Sequence, residues 1–224
     1  MKNIIVTGTS RGIGYELALQ FADAGHQVLA VSRKIPQALI EHPNITCLSV
    51  DLSTADLSAV SDFLSKAWKN VDAIVHNAGA LIFRPFAETT ISDFEKIYKV
   101  NVFAMANLTQ TCLPFLHKGS HVVTISSMGG IQGSLKFPGL AAYTSSKGAV
   151  ITLSELLSQE YKEKGIAFNV LALGSVQTEM LAEAFPGYEA PVSAAKMAEY
   201  ICNFTLTGNQ FYNGKVLQVS SSTP

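Results

Sequence analysis

The chain has 224 residues, 48% hydrophobic and 15% charged, with 16 Lys and Arg against 17 Asp and Glu. That length accommodates one large domain or two small ones, and that composition excludes a disordered or polyelectrolyte chain. The near-neutral balance lacks the basic excess of a nucleic-acid binder. Cys47, Cys112 and Cys202 are odd in number and far apart, which argues against a disulfide framework or a zinc-ribbon spacing and for a reducing, cytoplasmic location. Ile4-Ile5-Val6 before Gly8 is too short for a signal-peptide core. Val100 to Leu116 is interrupted by Asn101, Asn107, Thr109, Gln110, Thr111 and Pro114, which predicts a buried helix and no membrane span.

In chain order, Asn3 to Thr7 is a β-branched run that predicts a strand, and Ile13 to Ala24 carries apolar residues at helical spacing until Gly25 stops it. Gln27 to Val31 and Ile45 to Val50 read as strands, Thr54 to Lys69 as a helix, and Asp72 to Val75 as a fourth strand. A long helix is predicted from about Ser92 to Leu116, a strand at His121 to Ile125, a helix from about Ala142 to Lys164, and a strand at Ile166 to Leu171. A weaker helix around Ala194 to Phe204 and a strand at Val216 to Val219 close the pattern.

Nearly all-apolar strands separated by helices indicate a parallel sheet buried on both faces. The expected fold is α/β: a three-layer, doubly wound, seven-stranded parallel sheet forming one domain over residues 1–224. Linker-like shifts, low-complexity tracts and solenoid repeats are absent from the sequence. The loops at about 128–141 and 174–193 follow strands, at the end of an open α/β sheet where ligands bind.

The first strand runs into Thr7-Gly8-Thr9-Ser10-Arg11-Gly12-Ile13-Gly14, a glycine turn that opens a helix. Glycines there let the backbone approach a pyrophosphate, and the helix N-terminus supplies unpaired N–H groups and partial positive charge. Glycine turns also join strands to helices with no ligand, so the triplet gains weight only from its company. His76-Asn77-Ala78-Gly79 closes the fourth strand, Ser126-Ser127 the fifth, and Tyr143-Thr144-Ser145-Ser146-Lys147 opens the next helix. Tyr143 and Lys147 are i, i+4 and share a helix face.

With these motifs in this order, from Lys2 to about Val219, the sequence resembles the short-chain dehydrogenase/reductase family in its single-domain, NADP-preferring form. The resemblance implies a Rossmann fold and a catalytic set of Asn101, Ser127, Tyr143 and Lys147. Tyr143 would be the acid/base, Ser127 would donate to the substrate oxygen, and Asn101 would hold a water linking Lys147 to solvent. A tyrosine titrates near 10, and a lysine cation about 4 Å away is worth about 4 kcal/mol, or roughly three pKa units in the useful direction. On the cofactor side the resemblance implies Gly8, Ser10, Arg11, Gly12, Ile13 and Gly14 of the glycine turn, Asp51 binding the adenine, and Leu52 also at the cofactor. Asn77 would brace the turn beside the adenine ribose, Lys147 would hydrogen-bond the nicotinamide ribose and Thr178 would hold the nicotinamide carboxamide, with Ala78, Gly79, Tyr143, Gly174 and Val176 also in the cofactor set.

An NAD-preferring dinucleotide fold usually ends its second strand on an acid that binds the ribose 2′-hydroxyl. Here Val31 is followed by Ser32 and Arg33, which removes the repulsion of a 2′-phosphate and supplies a bidentate partner, and Arg11 can approach the same phosphate from the other side. NADP(H) is therefore expected over NAD(H). The sequence departs from the family at Leu173-Gly174 in place of Pro-Gly, in a longer stretch between Ser127 and Tyr143, and at Ser220-Ser221-Ser222. A homodimer or homotetramer is implied, the dimer through the helices near Asn101 and Lys147. His117 and His121 flank Gly119 and are not expected to form a metal pair.

The expected activity is NADPH-dependent reduction of a ketone or aldehyde, the alternative a non-catalytic NADP(H)-binding sensor. Leu81, Phe83, Met128, Phe137, Leu173, Met180, Leu181 and Phe185 are candidate pocket residues, and their apolar character indicates an apolar small-molecule substrate. No nucleic-acid or membrane partner is expected.

Overall fold

The computed structural model describes residues 1–54 and 56–220, so Ser221 and Ser222 of the tail lie outside the described residues. The chain forms β1 (Asn3–Thr7), α1 (Gly12–Asp23), β2 (Gln27–Ser32), a short α2 (Gln37–Ile40), β3 (Ile45–Ser49), α3 (Ser58–Phe63) and β4 (Val71–His76). Then come α4 (Ile91–Tyr98), α5 (Ala104–Cys112), β5 (Leu116–Ser127), α6 (Ala141–Glu160) and β6 (Ala167–Leu173). The remaining elements are β7 (Val176–Gln177), α7 (Glu179–Ala184), β8 (Val192–Ser193), α8 (Ala194–Thr207) and β9 (Val216–Val219).

Seven strands form one sheet in the order β3-β2-β1-β4-β5-β6-β9. Every pairing is parallel, with Ile4 opposite both Val28 and Ala73, and Ser127 opposite Leu173. This is the expected doubly wound Rossmann sheet, and its direction of winding reverses between β1 and β4, the switch point where such sheets bind ligands. Alternating strand residues feed two cores. Ile4, Val6, Val28 and Ala30 pack with Leu17 and Phe21 of α1 and Ile201 of α8, while Ile5, Leu29 and Val31 pack with Val60, Leu64 and Leu108 on the other face.

Local chemistry sets the element ends. Gly25, at φ +81°, closes α1 with a Schellman pattern, its N–H on the Ala22 carbonyl and that of His26 on Phe21. The long helix expected to Leu116 stops at Cys112, because Pro114 has no N–H to continue it, and β5 starts at Leu116. That helix is also interrupted internally: Lys99–Phe103 winds as a π-helix between α4 and α5, with Asn101 at its centre. Such insertions recur at functional sites because they re-aim a side chain. The start of α4 is fixed by a capping box, Thr90 and Asp93 each accepting from the other's backbone N–H. Two expectations were too coarse. The helix predicted from Thr54 is regular only from Ser58 and ends in a π-turn, Leu64–Trp68, and the loop at 174–193 holds α7 and a two-stranded pair, β7 with β8. Among the described residues no helix is long and apolar enough to cross a membrane.

Candidate active site

The glycine turn is built against the end of β4. The Thr7 hydroxyl, fully buried, accepts from Asn77 N and Ala78 N at 3.0 Å each, and Asn77 Nδ2 donates to the Thr7 carbonyl at 3.0 Å. A Cβ on Gly14 would lie 2.2 Å from the Gly8 carbonyl oxygen, and one on Gly8 would lie 2.8 Å from Ala78 Cα. Gly8 also sits at φ +73°. Glycine is therefore the residue that both positions accept. No side chain of the helix caps α1 and no acid stands in its first turn, which leaves its first N–H groups available to an anion. The donors and the close-packed backbone fit a pyrophosphate. Ser10, Arg11 and Gly12 line a cleft of about 630 Å³ that reaches Tyr15, Pro36 and Thr178, while the side chain of Ile13 packs against the core.

A second group of polar side chains meets at the C-terminal ends of β4 and β5. Asn101, 4% exposed, accepts from Ala80 N at 2.8 Å and donates to the Ala80 carbonyl at 3.0 Å and to Ser146 Oγ at 2.9 Å. Its side chain is thus fully engaged by protein groups and clamps the Asn-Ala-Gly turn to α6. Gly79 lies over this junction, its Cβ position 3.6 Å from both Asn101 Oδ1 and Lys147 Nζ. Lys147, 5% exposed, donates from Nζ to the Ile125 carbonyl at 2.9 Å, and burial pulls its pKa down to about 8. Its Nζ lies 5.7 Å from the Tyr143 ring centre.

Tyr143 stands close enough to Ser127 for that hydroxyl to favour its phenolate. Burial pushes the phenol above its ordinary range, and the Ser127 contact only partly offsets this. This is the reverse of the shift expected from the i, i+4 spacing, a phenol lowered by its lysine neighbour. The Lys147 ammonium, 5.7 Å from the ring centre and donating to the Ile125 carbonyl, does not offset that burial. Beneath the turn, Thr7, His76, Asn101, Thr124, Ile125 and Lys147 border a cavity of about 10 Å³, near the space one water needs.

At the other edge the side chains are arranged differently from expectation. Ser32 is buried, accepting from Thr9 Oγ1 at 3.2 Å and donating to the Lys34 carbonyl at 2.7 Å, so its hydroxyl serves the strand end. Arg33 is exposed, and its charge helps hold the Asp51 carboxyl low, after the larger effect of hydrogen bonds from Ser53. Leu52 is buried beside the small cavity. Arg11 is turned away from this edge onto Glu183 of α7, its Nη2 donating to Oε2 at 2.9 Å and its Nη1 also paired. Thr178 caps α7, accepting from Leu181 N at 3.2 Å. Gly174 donates to the Val219 carbonyl at 2.9 Å, and a Cβ there would meet Ser220 Oγ at 2.5 Å, so a side chain at 174 would require Ser220 to move. Val176 is buried in β7.

The apolar candidates divide. Leu173 and Met128 are each 6% exposed, and Leu173 belongs to the core cluster, because β6 is covered on both faces. Phe83 meets Phe185 edge-on at 5.2 Å and also covers Gly139, bringing the loop after β4, the longer loop before α6 and the end of α7 together. Phe137 is exposed nearby in sequence, whereas Leu81, Met180 and Leu181 are half-buried. Sequence reasoning passed over Ser146, which holds Asn101, and Glu183, which holds Arg11 from 172 residues away. Ser146 carried a signal, a small polar residue on the buried side of the Tyr143–Lys147 turn, and Glu183 carried none. His121 binds the Thr205 carbonyl and Asn169, and no group of three metal-ligating side chains occurs among the described residues.

An all-parallel doubly wound sheet with a bare helix N-terminus at its switch point is the architecture of a dinucleotide-binding protein. The sequence profile of the short chain dehydrogenases matches residues 2–189, and the chain belongs to that family of oxidoreductases. It is 30% identical over 190 residues to the 7alpha-hydroxysteroid dehydrogenase of Escherichia coli strain K12, covering 80% of this chain and 73% of that one. An uncharacterized oxidoreductase of Bacillus subtilis, YhxC, is 27% identical over 201 residues, 85% of this chain and 70% of its own. Among solved structures, ElxO with NADP bound is similar at a TM-score of 0.84 and 26% identity, over 98% of this chain and 97% of that one.

Proposed function

We propose that the chain is an NADPH-dependent carbonyl reductase that acts on an apolar ketone or aldehyde, with Tyr143 as the proton donor. The observation that carries this reading is the meeting of Ser127, Tyr143, Lys147 and Asn101 beside a glycine turn shaped for a pyrophosphate. The turn and the N-terminus of α1 would hold the cofactor's phosphates, Asp51 and Asn77 its adenosine half, Lys147 its nicotinamide ribose and Thr178 its carboxamide. When bound, the cofactor supplies the hydride.

The protein's own task is to orient a carbonyl and manage one proton. Ser127 and Tyr143 form a pair of hydroxyls that would both donate to the carbonyl oxygen, polarising it and fixing its distance. A phenol pushed up by burial stays protonated at neutral pH, the form that reduction requires of an acid. Lys147, with a pKa of about 8, is mainly a cation at pH 7 and stabilises the phenolate left after transfer. A water in the space beside Asn101 and Lys147 would reprotonate the pair. Arg33, exposed at the end of β2 with no acid beside it on that strand, supports NADPH over NADH. ElxO, named with NADP bound, supports the same choice.

The test is oxidation of NADPH, followed by its absorbance, against aromatic diketones, quinones, hydroxysteroid-type ketones and aldehydes, with Tyr143→Phe alongside. The expected result is turnover that falls by a factor of about 10³ or more in the variant, with NADPH affinity changed far less. Turnover that survives the substitution overturns the role of Tyr143, and tight cofactor binding with no turnover on any carbonyl favours a cofactor-sensing protein.

A further inference from the structure

Arg11, expected to reach a cofactor phosphate, is held by both terminal nitrogens on the Glu183 carboxylate. Glu179, one turn earlier on the same face of α7, brings Oε2 to within 3.3 Å of the point a Cβ on Gly12 would occupy. The charge of Glu179 reaches Arg11 as well. An acidic helix face therefore lies across the glycine turn, and the cleft between them is lined by Glu16 and Glu179 with Arg11 as its one cation. A phosphate arriving here meets an arginine that is already neutralised.

We infer that Glu183 is a specificity-determining residue, whose carboxylate competes with the 2′-phosphate of the cofactor for the Arg11 guanidinium. The inference rests on the nicotinamide-cofactor reading above and adds what sets its preference. Both partners are about half exposed, 46% for Arg11 and 61% for Glu183, so the pair is weak and screened by salt. A phosphomonoester carries more charge and more acceptor oxygens than one carboxylate, and it displaces Glu183 in exchange for a stronger fork on the same guanidinium. A cofactor lacking that phosphate leaves the pair intact. Discrimination between the two cofactors and the release of Glu183 from Arg11 are then one event, because only one ligand interacts differently with the two states of Arg11.

The substitution that isolates this is Glu183→Gln, which removes the charge and keeps the shape. Glu189→Gln, an exposed carboxylate of the same loop, controls for net charge. Wild type and both variants are titrated with NADPH, NADH, 2′,5′-ADP and 5′-ADP by calorimetry, at low and high salt. Glu183→Gln is expected to tighten NADPH and 2′,5′-ADP about fivefold while NADH and 5′-ADP stay within about twofold, the scale an exposed pair permits. High salt erases the gain, and Glu189→Gln does not reproduce it. Equal tightening of all four ligands, or no change in any, overturns the inference, since Glu183 then acts on the order of α7 or on nothing. Failure of the wild type to bind any of the four removes the cofactor reading itself, an outcome distinct from binding that ignores Glu183.

Discussion

The two sides of the candidate site are held by different physics. The cradle formed by β1, β4 and the glycine turn is fixed by the buried Thr7 hydroxyl, the Asn77 amide and backbone atoms too close to admit a methyl group. The opposite wall, α7 with β7 and β8, has no fully buried residue in its helix and only two paired positions in its sheet. Val176 and Val192 anchor β7 and β8 to the core, but α7 itself is held by an exposed ion pair and one aromatic contact, the latter worth about 0.5–1.5 kcal/mol. Pre-organised donors belong where a common group such as a pyrophosphate binds, and adaptable loops where the variable part of a ligand does.

Acid separates the two sides most strongly. His76, at the end of β4, donates from Nε2 to Thr109, whose own hydroxyl donates to the Met105 carbonyl, and burial brings its pKa down to about 3. His121 is held neutral in the same way, at about 4. The unfolded chain takes up these protons near pH 6.5 and the folded chain does not, so the stabilisation is complete above pH 6.5 and drains away below it. By pH 4 the two histidines together cost about 6 kcal/mol, at about 1.4 kcal/mol per pKa unit. Residues 174–193 contain no histidine. Urea denaturation from pH 7 to 4 should show the loss beginning near pH 6, before carboxylates titrate, and a flat midpoint down to pH 5 contradicts the buried, neutral pair.

A methyl group sharpens the contrast next. Gly14→Ala places a Cβ 2.2 Å from the Gly8 carbonyl oxygen and 2.4 Å from Asn77 Nδ2, so backbone must move. The expected cost is about 3 kcal/mol with loss of nucleotide binding. Gly187→Ala, in the other wall, meets no atom within 4 Å and bears only the strain of φ +83°, about 1 kcal/mol. Denaturation of both variants, with an NADPH titration, ranks them. Equal costs abolish the distinction.

What the sequence made legible follows the same divide. β1 through β6 could be read because runs such as Ile4-Ile5-Val6 and Val28 to Val31 are buried on both faces, and the glycine turn because backbone sterics leave no other residue there. Asn101 could be placed on a helix, but neither its π-turn nor its bonds to Ala80 and Ser146, 21 and 45 residues away, are encoded by a local pattern. The lowered phenol expected at Tyr143 gives way to a raised one for a related reason: spacing sets which residues share a helix face, and the tertiary packing around that face sets how strongly burial acts on the phenol. α7 was hidden because its six residues lack a buried stripe, so its position depends on partners as distant as Phe83 and Arg11.

The smallest expected effect tests whether α7 belongs to the folded core at all. Phe185 ends that helix and touches Phe83 edge-on at 5.2 Å, while Phe83 also covers Gly139. Phe185→Ala removes one aromatic contact from a helix with no buried residues, so it should lower stability by about 1 kcal/mol or less. Phe83→Ala removes two contacts and should cost more. By contrast Phe21→Ala empties a position with no solvent exposure in the core beneath α1 and should cost about 3–5 kcal/mol. If Phe185→Ala unfolds the chain at the same denaturant concentration as Phe21→Ala, α7 is core and the two walls are equally rigid. A small loss in stability joined to a several-fold rise in the substrate KM places Phe185 on a movable wall, where its contact with Phe83 sets how often the wall is closed.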